Sequence, residues 1–114
     1  MVQYHTKEKA SPQPNRTKFI ARSQSYHGAT IGALDLSGHE ARRALYEPIL
    51  PQNMHTIPAC NPYRNRALGE TDEQYVEKRK AELVNKIEEL GAEEVAGFIL
   101  EPVVGAVSGP LSIL

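Results

Sequence analysis

Four consecutive residues, Ser25-Tyr26-His27-Gly28, combine side chains that could bind a planar anionic molecule. The ring of Tyr26 offers a flat face on which a heterocycle can stack, and the imidazole of His27 titrates near neutral pH. Gly28 lets a ligand approach the backbone, and a helix that begins here favours anions at its N-terminus. A second interpretation stays open, in which Tyr26 and His27 are half-buried packing residues.

Another position with chemical potential is Glu101, which directly follows six apolar residues, 95–100. A carboxylate carried to the end of a buried strand is costly unless it is paired or solvated by a site. The alternative is an exposed acid just beyond the edge of a sheet. The small residues that follow, 103–106 with Ser108 and Gly109, could line a pocket or form an ordinary crossover.

Other kinds of site lack their motifs. A hydrolase that uses Ser25 and His27 is a third possibility, but a nucleophilic serine needs a base and an oriented third group, and the chain has no Gly-x-Ser-x-Gly elbow. The sequence also lacks a Walker motif and a Gly-x-Gly-x-x-Gly loop. We expect no metal site, because zinc-ligand spacing is absent among the candidate ligands His5, His27, His39, His55 and Cys60.

The candidate residues follow apolar runs that predict strands. Residues 19–21 precede Tyr26, residues 54–57 form a second short run, and residues 95–100 precede Glu101. An unbroken apolar run is typical of a strand buried on both faces of a parallel sheet. We therefore predict an α/β fold in which these three strands are parallel neighbours with flanking helices.

Three helical segments are predicted between the strands. Residues 29–36 and 39–50 have helical spacing, and Pro48 and Pro51 end the second. A capping box at Thr71 and Gln74 predicts a long helix that runs to Leu90 and ends at Gly91. Its expected core-facing stripe and ion pair are Val76, Leu83, Val84, Ile87 and Leu90, with Glu82 and Lys86.

Composition excludes several classes of function. The 114 residues include 13 Lys and Arg and 14 Asp and Glu, for a net charge of -1, so a basic nucleic-acid surface is not expected. No stretch approaches the roughly 20 apolar residues that span a membrane, and the N-terminus lacks a signal pattern. With Cys60 as the single cysteine, no internal disulfide is possible. These features indicate a cytoplasmic protein that binds neither nucleic acid nor membrane.

Two segments resemble the class-III pyridoxal-phosphate-dependent aminotransferases of fold type I. They are residues 19–34, with the Tyr26-His27-Gly28 sequence, and residues 98–106, with the Glu101-Pro102 strand end. The similarity extends over roughly residues 16–107 in the order of the family. It implies a mainly parallel sheet with flanking helices, an internal fragment of the family's large domain. Residues 1–16 would be a helix tail and loop, 17–107 the partial cofactor-binding domain, and 108–114 an atypical tail.

The resemblance also implies roles for single residues. Tyr26 would stack on the pyridine ring of pyridoxal phosphate, and Gly28 would leave room beside it. His27 would support that loop, and Glu101 would belong to the acid network beneath the cofactor. The complete enzyme would be a homodimer that moves an amino group from an amine or amino acid to an oxo acid.

Other residues of the family pattern are not matched in this sequence. The phosphate-binding turn would precede Met1, and the aspartate and the covalently bound lysine would follow the Glu-Pro motif. None of the six lysines occupies the place of that lysine, so no catalytic residue is assigned. We expect a truncated chain that is inactive alone and binds the cofactor weakly or not at all. The alternative is a non-catalytic α/β remnant that binds or associates with a full-length relative.

Overall fold

The structure is a computed structural model and describes residues 12–104 and 111–112. The predicted N-terminal helix tail and most of the predicted C-terminal tail lie outside these residues. The elements in chain order are β1 (Lys18–Arg22), α1 (Ile31–Leu36), α2 (Glu40–Arg43), a 3-10 helix (Glu47–Ile49), β2 (Met54–Ile57), α3 (Pro62–Asn65), α4 (Asp72–Leu90), β3 (Val95–Ile99), β4 (Val103–Val104) and β5 (Leu111–Ser112).

The three predicted strands form one parallel sheet with the order β2-β1-β3. Ile20 of β1 lies opposite His55 of β2 and Phe98 of β3. The chain moves from β1 to β2 in one direction and from β2 to β3 in the other. Right-handed crossovers therefore place α1 and α2 on one face of the sheet and α4 on the opposite face. Besides this sheet, β4 and β5 pair antiparallel.

Burial is concentrated on the central strand. Successive residues Ile20 and Ala21 are both 0% exposed, and because their side chains point to opposite faces, both faces of β1 are covered. The expectation of a fully buried third strand is wrong. In β3 only Ala96 is buried, and Leu100 lies beyond the strand and is exposed. The described residues place no strand on the far side of β3.

The segment between β1 and β2 folds as short helical pieces. Thr30 caps α1 through its hydroxyl, which accepts a hydrogen bond from Ala33 N at 3.3 Å. The helix predicted over residues 39–50 is divided into α2 and the 3-10 helix, consistent with the missing amide hydrogen of Pro48. Buried Asp35 accepts hydrogen bonds from the backbone just before β2, namely Gln52 N at 3.0 Å and Asn53 N at 3.2 Å.

The long helix α4 begins with the predicted capping box. Gln74 N donates to Thr71 Oγ1 at 3.2 Å, and Thr71 N donates to Gln74 Oε1 at 3.0 Å. The prediction of its apolar stripe is only partly correct. The fully buried residue is Tyr75, whereas Val76 and Val84 are exposed. The predicted pair of Glu82 with Lys86 is wrong. Glu82 pairs with Arg79 at 2.9 Å and Lys86 with Glu89 at 3.2 Å.

Candidate functional site

The two motifs meet at the carboxyl edge of the sheet. Because β1 and β3 are adjacent and parallel, the segments that follow them leave the sheet at the same edge. There, Tyr26 N donates a hydrogen bond to Glu101 Oε1 at 2.6 Å, although the two residues are 75 positions apart. Glu101 is half-buried and paired with a backbone amide. It is therefore not simply an exposed acid beyond the sheet.

Residues 25–28, which we call the Tyr26 loop, are held by bonds to the end of α1. His27 N donates to Ser37 Oγ at 2.8 Å, and that hydroxyl donates to Ala33 O at 2.8 Å. Gly38 N donates to Ser25 Oγ at 3.1 Å. These contacts use the buried hydroxyl of Ser25 as an acceptor for the backbone, which gives no support to a hydrolase built on Ser25 and His27.

Gly28 is required by the shape of the loop. Its φ angle is +131°, a conformation that residues with a Cβ rarely adopt, and a Cβ placed there would lie 2.9 Å from Ala33 Cβ. The same kind of close approach occurs at Gly38, where a Cβ would lie 2.8 Å from Arg22 O and 2.8 Å from Gln24 N. Both glycines therefore let the Tyr26 loop pack against α1 and the end of β1.

The imidazole of His27 is half-buried. Burial lowers the pKa of His27 below its ordinary value, and the negative charge of Glu101 partly opposes this change. The ring is therefore neutral at physiological pH. Its Nε2 atom is buried and has no hydrogen-bond partner in the described part of the chain. A buried polar atom without a partner is unusual and points to a polar group that is supplied from elsewhere.

The Tyr26 ring borders a cavity of about 410 Å³ on the face of the sheet that carries α1 and α2. The cavity, here called the Tyr26 pocket, is lined mainly by apolar side chains and by Gly28. The guanidinium carbon of Arg42 lies 4.4 Å from the centre of the Tyr26 ring, a cation–π contact. The structure thus brings Tyr26 and Gly28 to this pocket, whereas His27 and Glu101 are not among its lining residues.

Sequence reasoning missed three residues of this site. Ser37 and Gly38 bond to the loop, and Arg42 covers the tyrosine ring. Serine and glycine between two helical segments have the composition of any turn, and Arg42 belongs to a segment predicted as an ordinary charged helix face. No local sequence signal places Ser37 beside the loop, because these contacts form only when α1 and the end of β1 pack together.

The family model described as aminotransferase class-III matches residues 1–109. The chain belongs to the class-III aminotransferases. Pyridoxal phosphate is the cofactor of this family. The resemblance that the Tyr26 and Glu101 motifs indicated is therefore confirmed.

Individual relatives of this class-III aminotransferase chain come from fungi, bacteria and plants. An aminotransferase of Gibberella zeae is 49% identical over 100 residues, which cover 87% of this chain and 20% of the relative. The uncharacterized aminotransferase YodT of Bacillus subtilis is 34% identical over 97% of this chain and 24% of its own. A probable mitochondrial gamma-aminobutyrate transaminase 3 of Oryza sativa is 41% identical over 82% of this chain and 18% of its own length. The chain thus spans about a fifth of the length of these curated relatives.

Solved transaminase structures contain the same fold. A thermostable omega transaminase from Pseudomonas jessenii superposes with a TM-score of 0.75 at 32% identity, over 86% of this chain and 22% of that one. The aminotransferase of Vibrio fluvialis in its PMP-bound form gives 0.73 at 32% identity, with the same coverage of 86% and 22%. The α/β architecture is therefore that of part of the fold type I transaminases, as predicted.

The described residues contain no group of three or more His, Cys, Asp or Glu side chains that could hold a metal ion. No helix among them has the length and apolar character needed to cross a membrane.

Proposed function

We propose that this chain is part of a transaminase that transfers an amino group from an amine or amino acid to an oxo acid with pyridoxal phosphate. The observation that carries the proposal is the hydrogen bond from Tyr26 N to Glu101 Oε1. It joins the two family motifs at the edge of the sheet where α/β proteins place their ligands. Residues 17–107 are proposed to belong to the cofactor-binding domain, between a preceding segment 1–16 and a tail 108–114.

The described residues fit such a cofactor in three respects. The Tyr26 ring borders an open pocket and can stack on a planar ring. Gly28 keeps the loop free of a side chain beside that ring. The buried Nε2 of His27, which has no partner among the described residues, can bond to a polar group or a water molecule. The cofactor, when bound, supplies the electron sink for chemistry at the amino carbon, and the protein supplies orientation.

Tyr26, His27 and Glu101 each have a proposed task in holding that ring. Tyr26 positions the ring from one face and excludes water there. His27 stays neutral and keeps the loop in place through its backbone bond to Ser37. Glu101 fixes the direction of the loop through Tyr26 N and places a negative charge at the base of the site. None of these tasks is a proton transfer, so we assign these residues to binding and not to catalysis.

The lysines support the expectation that residues 1–114 alone are inactive. Lys18 lies at the opposite end of β1 from the Tyr26 loop, where it pairs with Glu94 and donates to Leu90 O at 3.2 Å. Lys80 and Lys86 form ion pairs on α4 with Glu77 and Glu89. Lys18, Lys80 and Lys86 are therefore not placed to bond covalently to a cofactor on Tyr26. We propose that cofactor binding by these residues alone is weak.

A chimera tests the proposal. Residues 17–104 would replace the corresponding segment of the Gibberella zeae aminotransferase, and transfer from a panel of amine donors to pyruvate or 2-oxoglutarate would be measured. We expect activity, and expect that Tyr26→Ala lowers it without unfolding the chimera. A folded chimera that never transfers an amino group would favour the alternative, a remnant that associates with a full-length relative. The homodimer and the cytoplasmic location stay predictions, and some plant relatives are named as mitochondrial.

A further inference from the structure

A second cavity lies on the face of the sheet opposite the Tyr26 pocket. It has a volume of about 200 Å³ and lies between α4, the ends of the three strands and the segment that follows β2. Its walls are largely apolar and include Ile57, Phe98 and Leu83. A cavity of this size can hold a molecule of several heavy atoms in contact with hydrocarbon and aromatic surface.

Two arginines line this cavity, Arg22 and Arg79. Each has a buried nitrogen atom, Arg22 Nη1 and Arg79 Nε, that has no hydrogen-bond partner among the described residues. Contacts with neighbouring side chains orient both guanidinium groups. Arg22 lies 6.0 Å from the centre of the Phe98 ring, and Arg79 lies 5.2 Å from the centre of the Tyr75 ring while its Nη2 pairs with Glu82.

An unsatisfied N–H on a guanidinium is costly, because arginine does not lose its charge when buried. Charge balance at the cavity is also positive. Four basic side chains line it, Arg22, Arg66, Arg79 and Lys80, against one carboxylate, Asp72, which already pairs with Arg66. Glu82 pairs with Arg79. Within residues 12–104 and 111–112, Arg22 has no carboxylate partner, unlike the two other arginines that line the cavity.

The phenol of Tyr75 does not compete for this role. Its oxygen accepts a hydrogen bond from Asn61 N at 2.9 Å, and burial, reinforced by the neighbouring Cys60, raises the pKa of Tyr75 above its ordinary value. The phenol is therefore uncharged at neutral pH. It therefore supplies no negative charge to the two arginines.

We propose that this cavity, the Arg22-Arg79 cavity, binds a small carboxylic acid whose other end is apolar. The carboxylate pairs with the guanidinium groups of Arg22 and Arg79, and its apolar body packs against Phe98 and Leu83. A carboxylate matches guanidinium geometry and charge, and the apolar walls favour an aromatic or branched body over a fully hydrated ion. The site is independent of the Tyr26 pocket and of the proposed transaminase activity.

Benzoate is the probe, and its binding to the chain is followed by calorimetry and by the rise of the unfolding midpoint. We expect a dissociation constant of about 1 mM, ordinary for so small a ligand, and at least about tenfold weaker binding of benzamide, which lacks the charge. Inorganic phosphate carries the charge without the apolar body and is expected to bind about tenfold more weakly than benzoate.

Two variants on neighbouring positions of α4 provide the matched comparison. Arg79→Gln should weaken benzoate binding about tenfold, whereas Lys78→Gln, which removes the same charge from an exposed position, should change it less than about twofold. Arg79→Lys keeps the charge but removes the planar guanidinium and should resemble Arg79→Gln. If Arg79→Gln unfolds in the isolated chain, the same contrast is measured in the chimera.

Several results would overturn the proposal. One is an equal loss of benzoate affinity in Arg79→Gln and Lys78→Gln. Others are equal binding of benzoate and benzamide, and phosphate binding as tight as benzoate binding. A folded chain that shows no response to benzoate at about 20 mM would also overturn it.

Discussion

The start of α4 and the Tyr26 loop are both held by side-chain to backbone hydrogen bonds, but over different distances along the chain. At α4, Thr71 and Gln74 bond to each other within three positions. In the loop, Tyr26 bonds to Glu101 over 75 positions, and His27 bonds to Ser37 over ten. The helix start is thus fixed by its own sequence, whereas the loop takes its shape only when the sheet and α1 are in place.

This difference predicts how each region responds to change. A substitution at the helix start should cost the energy of a local cap and leave the rest of the chain unaltered. A substitution in the loop should alter the junction of β1, β3 and α1 together, because its bonds connect all three. The proposed cofactor residues lie in the region that depends on the complete fold.

The largest expected effect is that of Gly28→Ala. At φ +131° a Cβ is strained and would also lie 2.9 Å from Ala33 Cβ, so we expect a loss of about 2–3 kcal/mol in the free energy of unfolding. Urea unfolding of the chain measures it. Gly32→Ala is the control, because a Cβ there meets nothing within 4 Å and alanine favours the helix, so stability should be unchanged or rise by about 0.5 kcal/mol. Similar losses in the two variants would show that the loop conformation is not constrained.

Glu101→Ala should have the next largest effect. It removes the charged acceptor of Tyr26 N, and we expect a loss of about 1.5 kcal/mol, the usual scale for a bond to a charged group that is only half-buried. Faster hydrogen exchange at Tyr26 N should accompany this loss. Glu88→Ala, an exposed change on α4, should leave both quantities unaffected. Unaltered exchange at Tyr26 in Glu101→Ala would mean that the bond does not hold the loop.

Thr71→Ala should cost about 1 kcal/mol, because it removes one half of the capping box. The expected signature is faster hydrogen exchange at Gln74 N with no change at Tyr26 N. Thr71→Ser keeps the hydroxyl and should stay close to the parent chain. If Thr71→Ala also loosened the Tyr26 loop, the two regions would be coupled and the contrast between them would fail.

The smallest effect concerns the pH dependence that His27 adds. Its pKa is lowered by burial, so the unfolded chain binds the proton more readily than the folded chain. Stability is therefore complete above the ordinary histidine pKa and declines as the pH falls below it. Unfolding midpoints measured between about pH 8 and pH 5 should show a decline that His27→Gln reduces and His55→Gln leaves in place. An equal decline in the parent and His27→Gln would contradict this assignment.

The range of each interaction also explains what the sequence could predict. The capping box lies within four residues, and the three strands are visible as apolar runs, so both were predicted correctly. The burial of Tyr75 in place of Val76 depends on how α4 is rotated against the sheet, which no local pattern encodes. The same is true of the site. Tyr26 and Glu101 were found by their types, but Ser37 and Arg42 became recognisable only in the folded chain.

The central claim is that the Tyr26 loop is a cofactor platform, and retention of pyridoxal phosphate by the chimera tests it most directly. Equilibrium dialysis would compare the parent chimera with Tyr26→Phe, which keeps the ring, and Tyr26→Ala, which removes it. We expect that Tyr26→Phe retains the cofactor like the parent and that folded Tyr26→Ala binds it about tenfold more weakly. Undiminished retention by folded Tyr26→Ala would contradict the claim.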